Sequence, residues 1–336
     1  MNTAIDITQP IYPWFGSKRR VADVIWRAFG DVANFVDPFM GTVSVLLTAP
    51  WPAKRTETVN DLDGFIVNAW RSIKYSPDET AAAADWIVSE HDLTARHYWL
   101  VTEGRKKIAT IINDPKGHDP EIAGWWLWGQ SCWIGSGWCA DNAGGWALDD
   151  NKQWVRNAGQ GVNRQRPHLG DAGKGVNRKL PHLSDAGQGH ADHLRCRFAA
   201  IADRLRYVRI CCGDWRRVLG PSVTETHGTT AIILDPPYSS DRRDGCYAVE
   251  SMDVAHDVRE WALENGYNQK LKIALCGHEG EHDMPDSWRV HNWSATGGYS
   301  GQSTNDTQGK KNKHLERIWF SPHCVDDRLP TQCELF

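Results

Sequence analysis

Two blocks of the chain alternate short extended runs with helically spaced apolar residues, and a long aperiodic stretch separates them. In the first block Val21, Val24, Ile25 and Ala28 recur at helical spacing within residues 17–29. A short run at 34–36 then enters Asp37-Pro38-Phe39-Met40-Gly41, which reads as strand and turn. Residues 44–49 start a helix that Pro50 stops. A second strand at 57–59 ends in Asn60-Asp61, and Leu62, Phe65, Ile66, Ala69, Trp70 and Ile73 mark a helix closed before Ser76-Pro77. This order is the signature of a parallel α/β sheet. The pattern resumes with a helix at 198–205 and a strand at 208–212 that ends in Gly213-Asp214. The apolar strand 231–234 runs straight into Asp235-Pro236-Pro237-Tyr238. A helix at 255–265 with Gly266 as its C-cap follows, then strands at 271–276 and 317–320. One sheet domain, residues 1–77 and 195–336, is therefore expected around an insertion at 78–194.

The insertion has a different character. Residues 78–112 read as helical, whereas 114–193 are rich in Gly, Trp and Asn with little periodicity. A 14-residue repeat lies inside it: 158–171 is followed directly by 172–185, and a third copy begins at 186 and breaks off. That is too few copies for a solenoid. Residues 156–197 carry eight Lys and Arg against three Asp, with four His. Two readings fit: a phosphate-tracking loop that orders on a nucleic acid, with Arg164, Arg166, Arg178 and Lys179 as contacts, or a solvated surface repeat. Trp125, Trp126, Trp128, Trp133, Trp138, Trp146 and Trp154 include either a stacking platform or mostly core.

A net charge of −4 excludes a wholly basic coat but not a basic stripe on an acidic body. Nine cysteines, an odd number without a C-x-x-C pair, argue against a disulfide framework or structural zinc. Reduced thiols fit a cytoplasm. The amino terminus shows no charged-then-apolar leader. Residues 122–140 lack charge, yet hold several glycines, Gln130 and two serines, so a buried segment is expected rather than a membrane span.

Asp235-Pro236-Pro237-Tyr238 follows a buried strand, where α/β proteins place ligands. A carboxylate beside a backbone carbonyl suits the activation of an aromatic amine. Such an amine is a poor nucleophile because its lone pair is delocalised into the ring. Accepting both N–H protons draws the nitrogen toward tetrahedral geometry and aims the lone pair at an electrophile. Two prolines stiffen the turn and leave carbonyls without competing donors. Tyr238 can stack on a flipped-out base. The work is positioning and electrostatics, with no covalent intermediate.

Trp14-Phe15-Gly16-Ser17-Lys18, Asp37-Pro38-Phe39-Met40-Gly41, Asn60-Asp61 and Asp235-Pro236-Pro237-Tyr238, in that order, resemble the motifs of the Dam-like DNA adenine N6-methyltransferases. The resemblance covers residues 10–75 and 205–320. It implies a Rossmann-like methyltransferase sheet with an inserted target-recognition region. It also implies S-adenosylmethionine as methyl donor, no metal, and double-stranded DNA as partner. Trp14 and Lys18 then line the donor site, Asp37, Pro38, Phe39 and Gly41 form the loop under its methionine part, and Asp61 binds its ribose. Asp235 sits where donor and target base meet. The alternatives are core packing for Trp14 and a solvated helix-start charge for Lys18. One place departs from the family: two residues after the first glycine stands Val43 rather than a small residue, which predicts a less close backbone approach to the donor. Asp214 ends a strand expected to neighbour Asp235, as an adenine contact or a simple turn residue.

Other motifs point elsewhere. His278-Glu279-Gly280-Glu281-His282 matches a zinc-protease pattern, but it follows a strand and contains Gly280, so it reads as a loop. Methylation of cytosine N4 is the rival chemistry, although its motifs more often begin with Ser or Thr. Carbon-5 methylation needs a Pro-Cys nucleophile, which the sequence lacks. A catalytically inactive DNA-binding protein is the non-enzymatic rival. A basic run at 310–313 and Gly297-Gly298-Tyr299 offer a second DNA contact or a plain surface loop. The expected protein is a monomer in the cytoplasm of a bacterial or phage-infected cell, with no membrane segment.

Overall fold

The computed structural model describes residues 5–14, 16–50, 54–133, 138–139, 146–148, 154–156, 188–237, 254–294 and 315–325. Within them the strands are β1 (Asn34–Asp37), β2 (Thr56–Asp61), β3 (Trp146–Leu148), β4 (Trp154–Arg156), β5 (Arg209–Cys212), β6 (Thr230–Leu234), β7 (Leu271–His278), β8 (Arg289–Asn292) and β9 (Glu316–Phe320). The α-helices are α1 (Ala22–Phe29), α2 (Ser44–Thr48), α3 (Gly64–Tyr75), α4 (Pro77–Ala84), α5 (Glu90–Trp99), α6 (Arg105–Ile111), α7 (Pro120–Cys132), α8 (Gln188–Leu205), α9 (Pro221–Thr224) and α10 (Val254–Asn265). They divide into two compact units. One contains residues 16–61 and the described residues from 207 onward; the other contains 5–14 and the described residues of 62–206.

The first unit is a seven-stranded sheet in the order β5-β2-β1-β6-β7-β9-β8. The strands from β5 to β7 are mutually parallel, and β9 runs against its neighbours β7 and β8. β1 and β6 are buried along their whole length, and β6 accordingly reads as an apolar run from Ala231 to Leu234. Chain order runs outward in opposite directions from the β1–β6 pair, so the switch point lies there, and the carboxyl ends at that point are Asp37 and Leu234. Side-chain alternation assigns the two faces. Ile232 and Leu234 join Ile273, Leu275, Val258, Ala262 and Trp288 in one core layer. Phe35, on the other face, meets Trp26 and Phe29 of α1 at centroid distances of 5.1 and 6.5 Å. Each such fully buried side chain contributes about 1.5–3 kcal/mol.

The second unit is helical. α3 packs on α4, α6, α7 and α8, and α4 also packs on α7 and α8. Gly124 permits the close α4–α7 approach, since a Cβ there would lie 2.4 Å from the Ala83 Cβ. Asp63, Ser89 and Asp119 cap α3, α5 and α7 through their side chains. A π-helical turn, Leu100–Gly104, joins α5 to α6. β3 and β4 form a separate antiparallel pair.

Several expectations change. The helical reading of 78–112 holds in three pieces, broken at 85–89 and at the π turn. α7 lies in the stretch that shows no periodicity, because Ile122, Trp126, Leu127 and Trp128 are buried around most of its circumference. α8 begins ten residues before the expected 198. β8 was not anticipated. Gly266 follows α10 without a left-handed φ; what it provides is room for Trp288, whose Cζ2 would lie 2.3 Å from an added Cβ. β5 does not neighbour β6, since β2 and β1 stand between them, so Asp214 is not beside Asp235. The unit boundaries at 61/62 and 206/207 place α3 and α8 in the helical unit, whereas the sequence pattern divides the chain at 77/78 and 194/195. No helix among the described residues is long and apolar enough to cross a membrane.

Candidate active site

Three loops converge at the carboxyl rim of the sheet. After β1 the chain turns on Asp37, whose Oδ1 accepts the Phe39 N–H at 3.1 Å. Asn60 ties the rim together: its side-chain amide donates to the Pro38 carbonyl at 3.1 Å and to the Gly213 carbonyl at 2.9 Å. Asp61 accepts the Gly41 N–H at 3.1 Å, and its own carbonyl accepts the Gly213 N–H at 3.0 Å. Gly41 has φ +41°, and Val43 has φ +46° with ψ +27°, a left-handed conformation rare for a β-branched residue. Its side chain is buried. The place where the family carries a small residue is thus one where the backbone takes the shape glycine adopts freely. Phe39 lies 6.2 Å from the Trp215 ring, and Asp214 caps the short turn 215–218 through the Arg216 N–H, which is the turn reading of that residue.

Asp235 follows β6 at the switch point. Lys18, 3% exposed at the start of the turn preceding α1, spends its three ammonium protons on Asp235 Oδ1 and Oδ2, 2.7 Å each, and on the Gly16 carbonyl at 2.8 Å. Burial alone would push Lys18 down, but the charges of Asp235, Cys276 and Glu316 and the hydrogen bond to Asp235 outweigh it and hold the ammonium well above its usual range. Asp37 is pushed up to about 8, first by burial, against the Phe39 N–H that lowers it; Asp235 and Asp61 raise it further. Three carboxylates therefore face this rim, with Lys18 bound to one of them.

Residues 14–115 match the family model of the D12 class N6 adenine-specific DNA methyltransferases. Over that stretch the chain is similar to that class. No curated protein matches it. The methyltransferase acts on N6 of adenine in DNA, and S-adenosylmethionine is the general methyl donor of such enzymes. The match spans Trp14, Lys18, Asp37, Pro38, Phe39, Gly41 and Asp61.

The sheet unit of the methyltransferase brings Lys18, Asp37, Pro38, Phe39, Gly41, Asp61, Asp235, Pro236 and Pro237 together at one rim. Trp14 belongs to the helical unit, where its ring meets the Tyr12 ring edge-on at 5.7 Å. Tyr238 and the basic residues Arg164, Arg166, Arg178 and Lys179 lie outside the described residues. So do residues 297–299 and 310–313. Sequence reading missed three rim residues. Asn60 stood in a motif beside Asp61 but was given no role of its own. Glu316 carried no motif, and Trp293, whose ring centroid lies 5.8 Å from Lys18 Nζ, sits beyond an unanticipated strand. His278 and His282 fall at a strand end and in the turn after it, not on a helix.

Proposed function

We propose that Asp235 and a carbonyl of the adjoining Pro236-Pro237 pair accept the two N6 protons of a flipped-out adenine while Lys18 fixes the carboxylate. The observation that carries this reading is the bidentate Lys18–Asp235 pair at the switch point, with both contacts at 2.7 Å. Each carboxylate oxygen has two acceptor directions, so an oxygen bound to Lys18 still accepts from an amine. The methyl donor supplies an electrophilic carbon on a cationic sulfur. Asp37 and the loop through Pro38, Phe39 and Gly41 receive its methionine part and Asp61 its ribose; Trp14 is a further candidate for binding the donor. Tyr238 stacks on the base. The proposed transfer is direct and in line, so its rate rests on geometry and preorganised charge.

The inserted region at 78–194 would read or track duplex DNA, with Arg164, Arg166, Arg178 and Lys179 on phosphates. We further infer a monomeric enzyme in the cytoplasm of a bacterial or phage-infected cell, either site-specific or of low specificity. Asp235→Ala should abolish label transfer from S-adenosylmethionine into N6-methyladenine while leaving DNA affinity within about twofold, since only the acceptor is removed. Retained turnover would refute the assignment. Alanine at the four basic positions should weaken DNA binding and flatten its salt dependence; an unchanged slope returns the repeat to a solvated surface.

A further inference from the structure

Methyl transfer leaves a proton to be removed. The C–S electron pair stays on sulfur, the N6 lone pair forms the new N–C bond, and the cationic nitrogen sheds one hydrogen. Several rim groups are poorly placed to take it, on the site reading above. Asp235 orients N6 as a hydrogen-bond acceptor, and the ammonium on both its oxygens disfavours its keeping the proton. Lys18 keeps its own proton. Cys276 is fully buried, which pushes its thiol well up. Asp37 and Asp61 are committed to the donor.

A histidine and a glutamate remain. β6 and β7 pair Leu234 with Leu275, so Asp235 stands level with Cys276. Alternation puts Cys276 and His278 on one sheet face. Gly277 points to the other, where an added Cβ would meet the His282 ring at 2.7 Å. His278 therefore lies one step, about 7 Å, beyond Cys276 toward the open rim, on the face that carries Asp37 and Asp235. Behind it, β9 pairs Glu316 with His278, and Glu316 Oε1 lies 3.8 Å from His278 Nε2. The Glu316 side chain is 6% exposed and that of His278 is 19% exposed, so the pair runs from the interior to solvent. Among the described residues, the other charged or titratable groups on its own and neighbouring segments are Cys276, Glu279 and Glu281 on its own segment, Arg317 on β9, His291 on β8, and Lys18 and Asp235. Arg317 is paired with Glu279 at 2.8 Å, and Glu281 accepts the His278 backbone N–H.

We propose that His278, backed by Glu316, takes the proton that N6 sheds on methylation and passes it to solvent. In this step an imidazole nitrogen gains the hydrogen lost by N6, and the imidazolium is held by the Glu316 carboxylate until it releases the proton to water. The inference rests on the assignment of Asp235. It is tested by single-turnover methylation with His278→Gln, Glu316→Gln and Asp235→Ala, alongside titration of S-adenosylmethionine binding. His278→Gln should lose on the order of 100-fold in rate and keep donor affinity. Glu316→Gln should lose less, about tenfold, with donor affinity also kept, since the imidazolium then lacks its anion. A wild-type rate in His278→Gln, with Asp235→Ala inactive, overturns the proton route alone; an active Asp235→Ala overturns the site.

Discussion

At the scale of single residues, the site depends on how few cations offset its carboxylates. Lys18→Met removes the partner of both Asp235 oxygens, and Lys18→Arg brings a wider, planar group that the Gly16 carbonyl and carboxylate do not frame. Both should reduce kcat/KM by at least about 100-fold, with Kd for the donor changed much less, because the lost contact orients the acceptor. Asp37 gives a pH dependence whose sign is fixed. Its folded value of about 8 lies above the ordinary carboxylate range. A cationic donor binds the ionised form better, so donor affinity should rise as pH climbs through about 8. Calorimetry on Asp37→Asn should show that slope gone; a slope retained there would mean another group is responsible. Val43 makes a different forecast. Its left-handed backbone costs about 1–2 kcal/mol, and its buried side chain returns a similar amount. Val43→Ala loses the packing and keeps the strain, whereas Val43→Gly loses the packing and sheds the strain. Thermal melting should find the glycine variant the more stable of the two, the reverse of the usual order.

At the scale of elements, the close packing of α4 on α7 rests on one missing methyl group. Gly124→Ala drives a Cβ to 2.4 Å from that of Ala83 and 2.6 Å from its carbonyl carbon. Backbone must shift, so a loss of about 1–3 kcal/mol is expected, read as a lower melting temperature. The same helix marks where sequence reading stopped. β1, β2, β6 and β7 were legible because short apolar runs end in polar or proline-rich turns. α1 and α3 were legible because one face alone is apolar. In α7 tryptophans and glycines surround the axis, so no period survives. β8 is four residues of alternating half-buried and exposed positions, too short to stand out beside a loop. At the site the motif residues were legible. The cross-rim ties of Asn60 and the place of Glu316 were not, because they arise from strand adjacency rather than from neighbours in sequence.

At the scale of the molecule, the two units carry opposite acid responses. In the helical unit His97 is 1% exposed, stacks on Trp133 at 4.8 Å, and is pushed down to about 4, first by burial and then by Arg105. Its unfolded value is near 6.5, so its neutral form favours folding fully above that pH. That contribution is lost as pH falls from about 6.5 toward 4. Asp37 acts the other way in the sheet unit: its contribution is present below the unfolded carboxylate value and lost as pH rises through about 8. His97→Phe should remove the acid-dependent fall of the helical unit's melting between pH 6.5 and 4.5. A fall of unchanged size would assign it elsewhere.

The β1–β6 pairing also has a consequence in time. A ribosome delivers residues 34–61 early, yet the strand that flanks β1 on its other side, and the acid that follows it, begin at Thr230. Closing a gap of that length costs chain entropy that grows only slowly with distance, about 0.6 kcal/mol for each doubling, but the partner must first exist. The helices between residues 64 and 205 can therefore assemble on the nascent chain while β1 and β2 wait. The proposed centre comes together only in the last third of synthesis, so a truncated translation product carries Lys18, Asp37 and Asp61 without Asp235.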